Sequence, residues 1–159
     1  MTHIAHITWQ AEGDFSANAY SRAHEWRFDG GAVIAASASP DIVPVPYSKP
    51  ENVDPEEAFV AAISSCHMLW FLDYARRAGF RPHIYGDRAV GHMKRRDDGQ
   101  MWIATVDLNI GIDWAGDAPS ALEEEALHHK AHTSCFIANS VKSEIKINLT
   151  SLSDLTVEL

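Results

Sequence analysis

Cysteine is scarce in this chain, with two thiols in 159 residues, Cys66 and Cys135. Neither lies in a Cys-x-x-Cys spacing, and no usual zinc pattern is present. Basic charge is also short: 13 Lys and Arg face 22 Asp and Glu, a formal charge of −9. That balance argues against a nucleic-acid partner, because phosphate recognition needs a basic patch. The one basic cluster, Lys94-Arg95-Arg96, runs directly into Asp97-Asp98-Gly99 and reads as a solvated hairpin tip. There is no glycine-rich phosphate loop, no G-x-S-x-G, no internal repeat and no low-complexity stretch. The opening Met1-Thr-His-Ile-Ala-His lacks a basic region followed by an apolar run, so no signal peptide is expected. The longest apolar stretch, 58–72, is interrupted by Ser64, Ser65, Cys66 and His67 and reads as too short and too polar for a bilayer. These absences predict a cytoplasmic chain with no membrane partner. Thiols are kept reduced in that compartment, so a disulfide there would be catalytic rather than structural.

The hydrophobic fraction is 46%, ordinary for a globular chain, and the length predicts a single domain over 1–159. Its core is expected over about 3–149, with 150–159 as a tail. Residues 3–10 alternate and read as a strand, and Ala11-Glu-Gly-Asp14 as a turn. Residues 20–28 and 31–37 read as strands joined at Asp29-Gly30-Gly31. The proline-rich segment Pro40–Pro50 predicts an extended loop. A helix should start at Asp54-Pro55-Glu56-Glu57 (Asp54 as N-cap, Glu57 closing a capping box) and stop at Gly79. Its middle is apolar on every side, which predicts burial all round. Residues 81–96 and 101–113 read as a long hairpin, and Pro119 as the start of a second helix. In that helix Glu123-Glu124-Glu125 precede His128, His129 and Lys130, a charge order that suits the dipole and puts the histidines on the surface. Residues 142–149 alternate as a last strand. The order βββ-α-ββ-α-β predicts an α+β fold with antiparallel sheet and buried helices.

Two thiols on facing elements could form a reversible disulfide; packed apart they would be inert small hydrophobes. Cys66 lies in the apolar middle of the first predicted helix, which by itself raises a thiol pKa, so reactivity requires a cation. The candidates are Arg22, His24 and Arg27. Strand alternation puts Arg22 and His24 on one face and Arg27 on the other. Glu56 could orient an arginine through a bidentate pair. It cannot reach Cys66 along its own helix, since ten residues rise about 15 Å. Cys66-His67 with His132-x-x-Cys135 is a ligand set that suits zinc. Adjacent helical residues point about 100° apart, however, so Cys66 and His67 converge poorly.

The segment Asp54-Pro-Glu-Glu-Ala-Phe-Val-Ala-Ala-Ile-Ser-Ser-Cys66-His67 resembles the first cysteine motif of the osmotically inducible protein C / organic hydroperoxide resistance (OsmC/Ohr) family. His132-x-x-Cys135-x-x-x-x-Ser140 resembles its second. The resemblance covers about residues 3–149; Phe136 departs from the proline that many organic-hydroperoxide members carry after the second cysteine. It implies an OsmC-like fold, with antiparallel sheets wrapped around two long central helices in an intertwined homodimer. It also implies a thiol-dependent peroxidase acting on hydroperoxides, often organic, with no cofactor, no metal and an external dithiol as reductant. By position, Cys66 resembles the peroxidatic cysteine, Cys135 the resolving one and Glu56 the glutamate that pairs with a catalytic arginine. Arg22 fits that arginine best, with Arg27 second. The alternative is a non-enzymatic protein on the same fold that binds a small apolar ligand or a metal.

Overall fold

The computed structural model describes residues 1–155. It divides into two compact units, Met1–Ala58 and the described residues from Phe59 onward.

In the first unit, β1 (Ala5–Trp9) is followed by the short pair β2 (Gly13–Asp14) and β3 (Ala19–Tyr20). Then come β4 (His24–Phe28) and β5 (Val33–Ala36), and the sheet order is β1-β4-β5, antiparallel throughout. Gly31 turns the β4–β5 hairpin at φ +88°, a conformation that side chains with a Cβ rarely adopt. The strand expected over 20–28 is broken at Ser21-Arg22-Ala23, because the Arg22 N–H turns away to Tyr47 O at 2.8 Å. Arg22 therefore lies outside β4, and strand alternation does not place it.

Helix α1 (Pro55–Ala78) begins as the sequence predicts. The Glu57 N–H donates to Asp54 Oδ1 at 2.7 Å, and the Asp54 N–H donates back to Glu57 Oε2 at 3.0 Å. Its last turn carries Arg76 and Arg77, and Gly79 ends it at φ +89°. Burial is confined to one stripe, Ile63, His67, Phe71 and Ala75, at the i, i+4 spacing of a single face. The all-round burial expected of this helix is thus not met within one chain: Ala62, Ser65 and Leu69 are exposed. By length and composition α1 is apolar enough to cross a bilayer, contrary to the expectation from its interrupted apolar run, although a core helix passes the same test.

The second unit continues with β6 (Pro82–Asp87), β7 (Val90–Arg95) and the long β8 (Met101–Trp114). Helix α2 (Ala121–Ser134) and β9 (Glu144–Leu149) follow. Asp107 of β8 faces Val90 and Lys146, and Ile110 faces Asp87 and Leu149. Strands β6 and β7 therefore succeed one another along one edge of β8, and β9 lies along the other. The expected hairpin is present, with a break at Arg88-Ala89. Strand β9 runs parallel to β8, an exception to the expected antiparallel pairing, and α2 supplies the crossover that a parallel pair requires.

Alternate residues of β8, Val106, Leu108 and Ile110, pack with Ile63 of α1 into one core cluster. Phe71 and Ala75 pack with Leu127 and Ala131 of α2 into another. Burying each large side chain contributes about 1.5–3 kcal/mol. Helix α2 is capped by Ser120 rather than opened by Pro119, and Ser120 forms a capping box with Glu123. The turn Leu152–Leu155 closes over β6 and β8. A Cβ on Gly111 would stand 2.7 Å from the Leu152 backbone nitrogen, which explains the glycine there.

Candidate active site: the Cys66 and Cys135 thiols

Both cysteines are free thiols. Cys66 sits in the middle of α1 beside its buried stripe and is half-buried. It opens onto a groove walled by Ala62, Leu69, Trp70, Phe136 and Ile137. Cys135 is the C-cap of α2 and is fully buried. Its N–H donates to His132 O at 3.3 Å, and its Sγ accepts from the Ala138 N–H at 3.3 Å. Asn139 secures the turn, with Nδ2 donating to Cys135 O at 3.0 Å and to Thr133 O at 2.9 Å.

The structure brings the two thiols together. Burial pushes the Cys135 thiol up to about 11, and a hydrogen bond from its side chain to Cys66 adds to the rise. The Ala138 and Ile137 N–H groups act against that rise. Cys135 is therefore a protonated thiol at neutral pH, within electrostatic reach of Cys66. Two contacts clamp the end of α2 to α1. Tyr74 Oη and Ser134 Oγ share a hydrogen bond of 2.8 Å, and Trp70 and Phe136 meet edge to face at 5.5 Å between centroids.

The other candidate residues lie in the first unit. Arg22 is half-buried. Its Nη1 donates to Tyr20 O at 2.5 Å and its Nη2 to Asn18 Oδ1 at 2.5 Å. Its guanidinium lies 3.6 Å from the Tyr20 ring centroid. Glu56 stands in the first turn of α1, where a carboxylate favours the helix dipole, and its carboxylate makes no hydrogen bond or ion pair among the described residues. The bidentate Arg22–Glu56 pair is thus not formed. Arg27 is exposed and paired with Glu25 at 2.6 Å.

Residue types alone did not reveal a buried histidine pair. His67 Nε2 and His128 Nδ1 are 3.0 Å apart, with rings parallel to within 2°. His128 also stacks on Phe71 at 4.1 Å. His128, expected on the surface, is therefore in the core. Burial holds His67 down at about 4 and His128 at about 3, so both are neutral near pH 7. The signal was available in the spacing: His67 falls on the Ile63-Phe71-Ala75 stripe, and His128 adjoins Leu127 and shares the face of Ala131 and Cys135.

The family model described as OsmC-like protein matches residues 48–150. Among solved structures, an OsmC-like protein of unknown function from Vibrio cholerae is 46% identical, over 94% of this chain and 99% of its own, with a TM-score of 0.90. An organic hydroperoxide resistance protein from Elizabethkingia anophelis is 18% identical, over 95% and 96% of the two chains, with a TM-score of 0.69. The organic hydroperoxide resistance protein OhrB of Bacillus subtilis is 17% identical, over 92% and 98%, with a TM-score of 0.66. At those identities the last two share the fold. No curated protein sequence matches the chain.

Proposed function

The chain belongs to the OsmC-like protein family, and on that premise we propose that it is a thiol-dependent peroxidase that reduces organic hydroperoxides through Cys66 and Cys135. One observation carries this reading. A half-buried cysteine that opens onto an apolar groove lies close enough to a second, fully buried thiol to raise its pKa.

The cycle needs no other group of the protein to balance. The Cys66 thiolate attacks the outer peroxide oxygen and the O–O bond breaks. The alkoxide leaves with a proton as an alcohol, and Cys66 becomes a sulfenic acid. Cys135 then attacks the Cys66 sulfur, its proton leaves with the sulfenic oxygen as water, and a Cys66–Cys135 disulfide results. An external dithiol reduces it by exchange. The apolar walls Leu69, Trp70 and Phe136 suit the carbon body of an organic peroxide better than hydrogen peroxide. The family resemblance gives Arg22 and Glu56 the role of activating the thiolate and makes the working protein a homodimer.

Stopped-flow oxidation of the reduced protein tests the cycle. Cumene hydroperoxide should consume two thiols per chain and lower the mass by two hydrogens, faster than hydrogen peroxide does. Cys66→Ser should abolish turnover. Cys135→Ser should allow one oxidation and then over-oxidation. Arg22→Ala should slow the first oxidation at least tenfold. Retention of most activity in Cys66→Ser would sink the mechanism. A second reading is favoured by the same groove: an apolar ligand site beside incidental thiols, expected to show no disulfide after peroxide treatment.

A further inference from the structure

Between α2 and β9, away from the groove that opens at Cys66, lies a pocket of about 480 Å³. One wall carries Glu125, His128 and His132 and the other Ile145, Ile147 and Leu149. None of these side chains takes part in the thiol chemistry. The polar wall is incompletely satisfied. His128 is 2% exposed, yet among the described residues its Nε2 has no hydrogen-bond partner, and the buried His132 Nδ1 likewise has none. A buried polar atom without a partner costs about 1–3 kcal/mol, so its position beside a cavity calls for an occupant.

The histidine pair determines what His128 offers. Each neutral imidazole carries one N–H. The His67 Nε2–His128 Nδ1 hydrogen bond uses one of the pair's two hydrogens. The other sits on an outward nitrogen, either His67 Nδ1 or His128 Nε2, and neither has a partner among the described residues. His67 is 1% exposed and lines no part of this pocket, so an N–H there would be stranded, whereas an idle lone pair costs less. The favoured tautomer leaves a lone pair on His67 Nδ1 and an N–H donor on His128 Nε2, at the pocket wall.

We propose that this pocket binds a small neutral molecule with an apolar body and one oxygen acceptor, a ketone or an alcohol. Its oxygen accepts from His128 Nε2–H, and its body lies on Ile145, Ile147 and Leu149. The Glu125 carboxylate on the same wall selects against an organic anion.

Titration of the full chain with 2-octanone, followed by imidazole nitrogen and isoleucine methyl resonances, tests the assignment. A saturable shift is expected at His128 Nε2 and at the Ile145 and Ile147 methyls. Leu149, 46% exposed at the pocket, tolerates a larger side chain, and Leu149→Trp should weaken binding at least tenfold. His128→Phe keeps a ring against Phe71 but removes the donor and should weaken 2-octanone binding about tenfold. Octanoate, of the same length, should bind more weakly than the ketone. Lack of a saturable shift, unchanged binding in Leu149→Trp, or tighter binding of octanoate each overturns the proposal. None of these results bears on the thiol oxidation assay, so the two readings fail separately.

Discussion

At the scale of single residues, the environments of the two thiols differ as the proposed cycle would require. Cys135 is buried, raised to about 11 and protonated at neutral pH, which in the proposed cycle leaves the first attack to Cys66. Cys66 is half-buried and faces the groove. The cysteines stood out in the sequence because they are few and each lies in a distinctive local context. The buried histidines did not, because charge order along α2 favoured a surface placement while the packing periodicity put His128 in the core. Their burial has a consequence for stability. The folded-state values of His67 and His128, about 4 and about 3, lie below the ordinary 6.5. As pH falls below 6.5 the unfolded chain takes up these protons first, so stability is full above that pH and is lost down toward the folded values. Each histidine contributes a slope of about 1.4 kcal/mol per pH unit in that window. Burial raises Asp87, which acts with the opposite sign and softens the slope at its acid end. Urea midpoints should be flat between pH 7 and 8 and fall steadily from pH 6.5 to 4.5, and His128→Phe should remove about half of the fall. A midpoint unchanged between pH 7 and 5 would contradict a buried neutral pair.

At the scale of elements, what could be read from the sequence was what is determined locally. The Asp54–Glu57 capping box, the Gly79 stop and the hairpin at Gly31 all depend on neighbours within four residues, and all are found. The Ser120 cap was passed over because Pro119 also suits a helix start, and the choice between adjacent residues turns on which side chain reaches the N3 amide. Non-local features were hidden. The parallel pairing of β9 depends on α2 carrying the chain across β8, and Arg22 leaves its strand because of Tyr47, twenty-five residues away in sequence. The Ser120 box gives a clean test. The Ser120 side chain accepts from the Glu123 N–H, and Glu123 Oε2 accepts from the Ser120 N–H at 2.8 Å. Ser120→Ala should lower unfolding free energy by about 1 kcal/mol. Because the cap lies at the opposite end of α2 from Cys135, the rate of thiol oxidation should stay unchanged. Denaturant unfolding beside stopped-flow oxidation separates the two effects. A fall in both would mean that fraying at the N-terminus of α2 is transmitted to its C-cap.

At the scale of the molecule, the sequence of α1 and the structure of one chain disagree in an informative way. The helix is apolar on every side, yet a single chain buries only its Ile63-His67-Phe71-Ala75 stripe. Leu69 is 61% exposed and Phe136 70% exposed, adjacent on the walls of the groove that holds Cys66. Isolated exposed apolar residues are common, but a continuous apolar face around a half-buried thiol is a surface that association would cover. A homodimer with α1 at its centre would cover that face and exclude water from the thiols. It would also satisfy the periodicity that predicted burial all round. Sedimentation equilibrium at micromolar concentration should therefore give twice the chain mass of 17.6 kDa. Leu69→Asp places a charge on the exposed side of α1 without touching the buried stripe. It should shift the protein toward monomer and slow cumene hydroperoxide reduction by at least tenfold, while far-ultraviolet circular dichroism stays unchanged. A wild-type chain that sediments as a monomer and still reduces the peroxide rapidly would show that one chain suffices. The exposed face of α1 would then serve the substrate rather than a partner.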